Sequence, residues 1–255
     1  MITIKSAREI ELMREAGRIV AYAHRLIKEA IKAGISTLEL DEIAYQAITS
    51  QGASPSFKGY RGYPSSICAS INDVVIHGIP NKKSILKNGD IIAIDIGANY
   101  RGYHGDSAVT YPVGEVSKKR SDLLRVTKEA LYEGLKMAKP NNRLSDISHA
   151  IEQCVIKYGY SVVKEFTGHG IGSSLHEEPS IPNFGPSGFG PILKSGMTLA
   201  IEPMVNIGLD KVRMLADEWT IVTLDKTDSA HFEHTIVITT DGYEILTIEG
   251  ENING

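Results

Sequence analysis

Cysteine is nearly absent from the 255 residues: Cys68 and Cys154 are the two present, and neither belongs to a C-x-x-C pair. So few cysteines cannot build a disulfide framework, and the missing pair motif removes the usual zinc and redox signatures. Both read as reduced, buried thiols. No dense basic run occurs either. Lys and Arg number 27 against 31 for Asp and Glu, a formal charge of -4, which leaves no electrostatic footprint for nucleic acid or an anionic membrane surface. The opening residues 1–17 interleave charged with apolar side chains. They hold no uninterrupted apolar stretch and no small-residue cleavage site, so they supply neither a secretory signal nor a membrane span, and the expected location is the cytoplasm. Hydrophobic residues make up 42% of the chain, enough for a sizeable core.

Ile10, Met13, Gly17, Val20, His24 and Ile27 recur three or four residues apart, the spacing of an apolar helix face, and predict a helix over 7–33. Gly34 supplies the stop. Thr37 is the expected N-cap of a second helix, with Glu39 and Asp41 in its first turn, running to about Ser50. Helical spacing returns over 121–139 and 143–158. Between these stretches lies an internal match: the run from Leu86 to Asp95 aligns without gaps on the run from Leu193 to Glu202, and both end in an acid. His77-Gly78-Ile79 and His169-Gly170-Ile171 stand upstream of the two copies. A chance match is the plain alternative. Duplication is favoured because each copy keeps a carboxylate at the end of an otherwise apolar strand, where a lone charge is costly to bury. The chain is therefore expected to be one α/β (α+β) domain over 1–255, built from two helix-helix-strand halves at approximately 1–120 and 121–250. A pseudo-twofold axis between them would bring Asp95 and Glu202 together.

Asp95 ends one strand and Asp106 begins the next. A type I turn centred on Tyr100 and Arg101 and closed by Gly102 would set the two acids directly opposite each other. Such a pair is destabilising unless a cation lies between them, and no Lys or Arg shares that strand face, so a divalent ion is implied. The second half offers Glu202 and also Glu233, the latter on a strand where period-two alternation puts Glu233, Thr235 and Val237 on one face. His169 adds an imidazole between Gly168 and Gly170, which permit close backbone approach to a ligand. Four carboxylates and one imidazole form a hard, oxygen-rich set suited to two ions and to hydrolysis by an activated water.

In this order the motifs resemble those of the methionine aminopeptidases: Asp95-Ile-Gly with Gly102-Tyr-His-Gly-Asp106, Phe166-Thr-Gly-His169-Gly-Ile-Gly with His176 beyond, Ile201-Glu202-Pro203, and Glu233-His234-Thr235. The resemblance spans essentially the whole chain. It implies the pita-bread fold around a central antiparallel sheet, removal of the initiator methionine from nascent polypeptides with a small second residue preferred, and Asp95, Asp106, His169, Glu202 and Glu233 as ligands of two divalent ions, whether cobalt, manganese, iron or zinc. It further implies Glu202 as proton shuttle, His77 at the scissile amide nitrogen and His176 at the carbonyl oxygen. A methionine pocket should be narrow, aromatic and tolerant of sulfur, and the resemblance assigns its walls to Tyr60, Tyr63, Cys68 and Trp219, with Phe57 beside them. Phe57 and Arg61 depart from the cysteine and histidine common in bacterial members. His24, His104, His149, His231 and His234 are read as structural or solvent-facing.

Prolidase and aminopeptidase P resemble the same fold and metal set but carry an extra N-terminal domain, for which His77 stands too near the start. Type II methionine aminopeptidases carry a helical insertion that the short span from His169 to Glu202 lacks. A metal-free binding module would have lost ligands, whereas all five are present. The expected form is the compact one: a monomer with no basic or zinc-finger ribosome anchor, its ribosome contact transient and through the folded surface.

Overall fold

The computed structural model describes residues 2–248, so the expected domain limits at 1 and 255 lie outside the described residues. Four helices form where serine caps or acidic first turns permit them. Ser6 and Glu9 make a reciprocal capping box at the start of α1 (Ala7–Ala30), and Ser36 and Glu39 make a second at the start of α2 (Thr37–Ser50). The expected cap, Thr37, is instead the first helical residue, and its hydroxyl donates to the Asn81 carbonyl. Ser36 takes the role because its hydroxyl reaches Glu39 N while its backbone N–H meets the Glu39 carboxylate. α1 stops short of the expected 33: Ile31 turns extended, and Gly34 N–H donates to Leu86 O. Tertiary pairing with the strand-leading segment therefore overrides helical spacing there. α3 (Lys118–Lys136) starts on the Ser117 hydroxyl, and α4 (Leu144–Lys157) starts where Asp146 accepts from Arg143 N.

The first half centres on the strand Ile91–Tyr100, antiparallel to Ile67–Ile71 on one side and to Tyr103–Pro112 on the other. α1 and α2 cover it, burying Val20, Ile27, Leu40 and Ile48 against Ile92, Ile94 and Ile96. In the second half the strand Thr198–Ile201 lies between Gly168–Gly170 and His234–Ile238, with Glu177–Ile181 and Tyr243–Ile245 at the edges. α3 and α4 cover that sheet, packing Leu131, Leu135, Ile147 and Ile151 with Leu199, Ile201, Ile236 and Ile238. The match between the strands extends well beyond them. α2 and α4 are each 14 residues long, and the residues ahead of them form equivalent bridges, Ser36 to Ile85 and Arg143 to Ile192. Ser54–Pro55 pairs with Asn99 and Ala98 as Ser161–Val162 pairs with Asn206 and Val205, at the offset that superposes Leu86 on Leu193. Among the described residues no helix is long and apolar enough to cross a membrane.

Candidate metal centre

The hairpin carrying Asp95 and Asp106 turns one residue later than expected, and not through a type I turn. Its central residues are Arg101 and Gly102, both with positive φ (51° and 88°), the mark of the primed turns whose twist suits antiparallel strands. The register moves accordingly: Asp95 stands opposite Ala108 and Asp106 opposite Gly97, so the acids are diagonal neighbours on one face, not a direct pair. Their carboxyls still meet.

The second half delivers its acids from interruptions between strands. Glu202 falls between Thr198–Ile201 and Met204–Asn206, where Asn183 donates to its carbonyl at 3.0 Å. Glu233 does not sit within one continuous strand as its alternation implied; it lies between Ser229–His231 and His234–Ile238, which belong to different sheets. The ladder breaks there because the backbone turns to the first half: Glu233 N–H donates to Ala108 O at 2.8 Å, and the Ser107 hydroxyl donates to Glu233 O at 2.7 Å. On either side, Thr235 Oγ1 exchanges bonds with both backbone groups of Asp106, and Thr110 Oγ1 with both of His231. These contacts carry Asp106 against Glu233.

His169 arrives on Gly168–Gly170. A Cβ at Gly168 would strike Ala200 O, and one at Gly170 would strike Glu178 O, so the glycines admit neighbouring backbone and not, as expected, a ligand. His169 Nδ1 donates to Gly170 O at 2.9 Å, because a carbonyl can only accept. That fixes the tautomer and leaves Nε2 facing Glu202 Oε1 at 3.5 Å and Asp106 Oδ2 at 4.0 Å.

Two groupings of possible ligand atoms result, Asp106 with His169 and Glu233, and Glu202 with His231 and Glu233, each within 4.8 Å. Asp95 belongs to neither but lines the same cavity. His231, read from sequence as structural, is the residue that reading missed. It is 2% exposed with Nε2 at 3.5 Å from Glu202 Oε2. It stands opposite Met204 as Asp106 stands opposite Gly97, positions the internal match superposes. The sequence match itself sets Asp106 on Arg213, so strand pairing and not the linear alignment reveals the equivalence.

Asp95 Oδ1, Asp106 Oδ1, Glu233 Oε1 and His231 Nε2 are all buried without a hydrogen-bond partner. Burial pushes the carboxyls of Asp95 and Glu202 up to about 7, against the opposing pull of His231 on the first and His169 on the second; it pushes those of Asp106 and Glu233 well above the usual range, and for these two the neighbouring acids add to it. Among the described residues, Arg61 is the single Lys or Arg lining the cavity, and it is exposed. Orphaned oxygens and nitrogen, crowded acids and a hard donor set fit divalent cations and little else.

Above this floor lies a cavity of about 170 Å³ that gathers every residue expected in the site: Phe57, Tyr60, Tyr63, Cys68, His77, His176 and Trp219 join the four acids and His169, with Leu175 and Arg61 added. Tyr63 donates its hydroxyl to Ile67 O and Gly78 O and meets Trp219 edge-on at 5.0 Å. His77, held at φ 58°, sits edge-on to Phe166 and Trp219. His176 lies over Tyr60 with Nδ1 at 2.9 Å from its hydroxyl. Burial lowers His77 to about 4, with His231 adding to it, and His176 to about 3, with His169 and then Arg61 adding to it.

Fold and site together define a metal-dependent peptidase, and comparison with known proteins narrows the class. The profile of metallopeptidase family M24 matches residues 11–240. Methionine aminopeptidase 1 of Bacillus subtilis is 59% identical over 247 residues, covering 97% of this chain and 99% of the relative. The Escherichia coli K12 methionine aminopeptidase is 44% identical over 252 residues, covering 98% and 96%. Among solved structures, methionine aminopeptidase from Thermotoga maritima superposes with a TM-score of 0.97 at 46% identity, covering 98% and 100%. A prolidase from Pyrococcus furiosus reaches 0.80 at 25% identity, covering 97% of this chain but 66% of its own. The chain belongs to metallopeptidase family M24 and, within it, to the methionine aminopeptidases. The architecture is therefore the pita-bread fold, and the prolidase reading is disfavoured by both identity and length.

Proposed function

We propose that the chain hydrolyses the peptide bond after an N-terminal methionine of nascent proteins, preferring a small second residue, and that Asp95, Asp106, His169, Glu202 and Glu233 hold two divalent ions. The observation that carries this is the set of partnerless buried donors at the closed end of an aromatic-walled cavity. Bound ions would polarise the scissile carbonyl and lower the pKa of water. The protein's own groups do the rest. Tyr63, Cys68, Trp219, Tyr60 and Phe57 enclose an unbranched, polarisable side chain and exclude water from it. Glu202 takes a proton from the attacking water and returns it to the leaving amine. His77 faces the scissile amide nitrogen. The Tyr60 hydroxyl donates to His176 Nδ1, which leaves a neutral imidazole donating from Nε2 to the carbonyl oxygen as charge develops there.

The substrates are the N-termini of new chains, which carries with it a cytoplasmic location, transient ribosome contact through the folded surface, and action as a monomer. The deciding assay incubates metal-stripped protein with Met-Ala-Ser, Met-Arg-Ser and an Xaa-Pro peptide across cobalt, manganese, iron and zinc. Methionine release from the first, little from the second, and a binding stoichiometry of two ions are expected. Cleavage of the Xaa-Pro bond, or no divalent ion bound at any concentration, overturns the reading.

A further inference from the structure

Of the residues lining the cavity, Arg61 and His176 are the two exposed ones, while the carboxylates, Phe57, Tyr63 and Leu175 are buried or nearly so. These two therefore mark the mouth. A peptide whose first side chain fills the aromatic end and whose scissile bond lies over the acids has to leave between them. Arg61 is the only Lys or Arg among the lining residues. Its guanidinium lies over the Tyr60 ring, 5.4 Å from the centroid, and among the described residues it pairs with no carboxylate. Its backbone is held in the left-handed region, φ 49°, between the positive-φ residues Gly59 and Gly62, in a short turn that Tyr63 closes through its N–H to Tyr60 O. The charge is thus presented from a fixed turn. It also acts across the mouth, being one of the positive charges that disfavour protonation of His176, after burial and His169.

We propose that Arg61 selects substrates by the charge of the residues following the cleaved methionine, favouring acidic and disfavouring basic side chains at the second and third positions beyond the scissile bond. This rests on the aminopeptidase reading and adds to it a substrate class. The carboxylates at the floor would oppose such a preference were their charge exposed. With two divalent cations bound to balance the four carboxylates, the guanidinium is the uncompensated charge at the mouth that a departing chain meets. Across about 7 Å of water a unit charge changes affinity roughly threefold, so an acidic and a basic peptide should differ by on the order of tenfold. Because the charge is exposed, the ratio must shrink with salt.

The test measures kcat/KM for Met-Ala-Asp-Gly-amide, Met-Ala-Lys-Gly-amide and Met-Ala-Ser-Gly-amide, the last being each variant's internal reference. Amidation removes the terminal carboxylate, which would mask the effect. Wild type should prefer the Asp over the Lys peptide by on the order of tenfold at low ionic strength, and the ratio should fall in about 0.5 M salt. Arg61→Lys should keep the preference, Arg61→Gln should abolish it, and Arg61→Glu should reverse it. An unchanged ratio in Arg61→Gln, a wild type indifferent to charge, or a loss in Arg61→Lys equal to that in Arg61→Gln overturns the proposal. Failure to cleave even the Ser peptide would instead strike the aminopeptidase reading.

Discussion

Glu202 and Glu233 face one another across a gap in a long antiparallel ribbon. Ile201 pairs with His234 on one side of the gap and Met204 with His231 on the other, in a single frame, while Phe232 N–H donates to Pro203 O inside it. The two acids therefore occupy mutually opposite positions where the strands have let go of each other. Like charges so placed are unfavourable unless protonated or bound to a cation.

His231 Nε2 lies 3.5 Å from Glu202 Oε2. Partners that orient a ligand typically account for about 10–100-fold in metal affinity. His231→Leu should weaken binding of one ion by that factor, read by calorimetric titration, while His231→Gln, which keeps a side-chain donor, should recover much of it. Equal affinities in all three proteins would remove His231 from the metal centre.

Metal-free protein should lose stability as pH rises above neutrality. A buried acid with a raised pKa keeps a proton in the folded chain that the unfolded chain has already released, so between the ordinary and the raised value stability falls with rising pH. For Asp95 and Glu202 that loss continues up to about 7, and for Asp106 and Glu233 beyond it. Below about 6.5 the buried His24 and His234, lowered by burial to about 4 and about 3, act in the opposite sense, because only the unfolded chain protonates them there. The informative window is thus about pH 7.5 to 8.5, where the unfolded chain has released its histidine protons. The melting temperature of chelator-treated protein should drop across it, and manganese should restore it. A flat profile would contradict the burial of these acids.

Gly170→Ala places a methyl against the Glu178 carbonyl, a backbone atom that cannot swing away. Such overpacking typically costs about 1–3 kcal/mol. Thermal unfolding should detect it, and because His169 precedes the site of strain, kcat should fall as well. Unaltered melting and turnover would mean that the adjoining strand yields freely.

Trp219 forms one wall of the aromatic end with Tyr63 and His77. Removing it by Trp219→Ala should lower kcat/KM for Met-Ala-Ser by roughly tenfold or more, as loss of apolar contact in a specificity pocket does, with two ions still bound. Loss of the ions instead would make Trp219 structural.

The linear chain determined the inventory. Helical spacing from Ile10 to Ile27 and over 121–139 and 143–158 marked helices, and their ends were misjudged where nonlocal pairing intervened, as between Gly34 and Leu86, or where a serine one position earlier made the cap, as at Ser36. The order Asp95, Asp106, His169, Glu202, Glu233 was legible because hard donors at the ends of apolar runs are costly unless something binds them. What tertiary structure alone decided is how the donors meet: the diagonal offset of Asp95 and Asp106, the break that frees Glu233, and the entry of His231 beside Glu202. Each follows from strand register and from hydrogen bonds between residues more than a hundred positions apart, such as Thr110 with His231. Local periodicity says which face a side chain occupies, and register, fixed by the turn and by the partner strand, says what stands across from it.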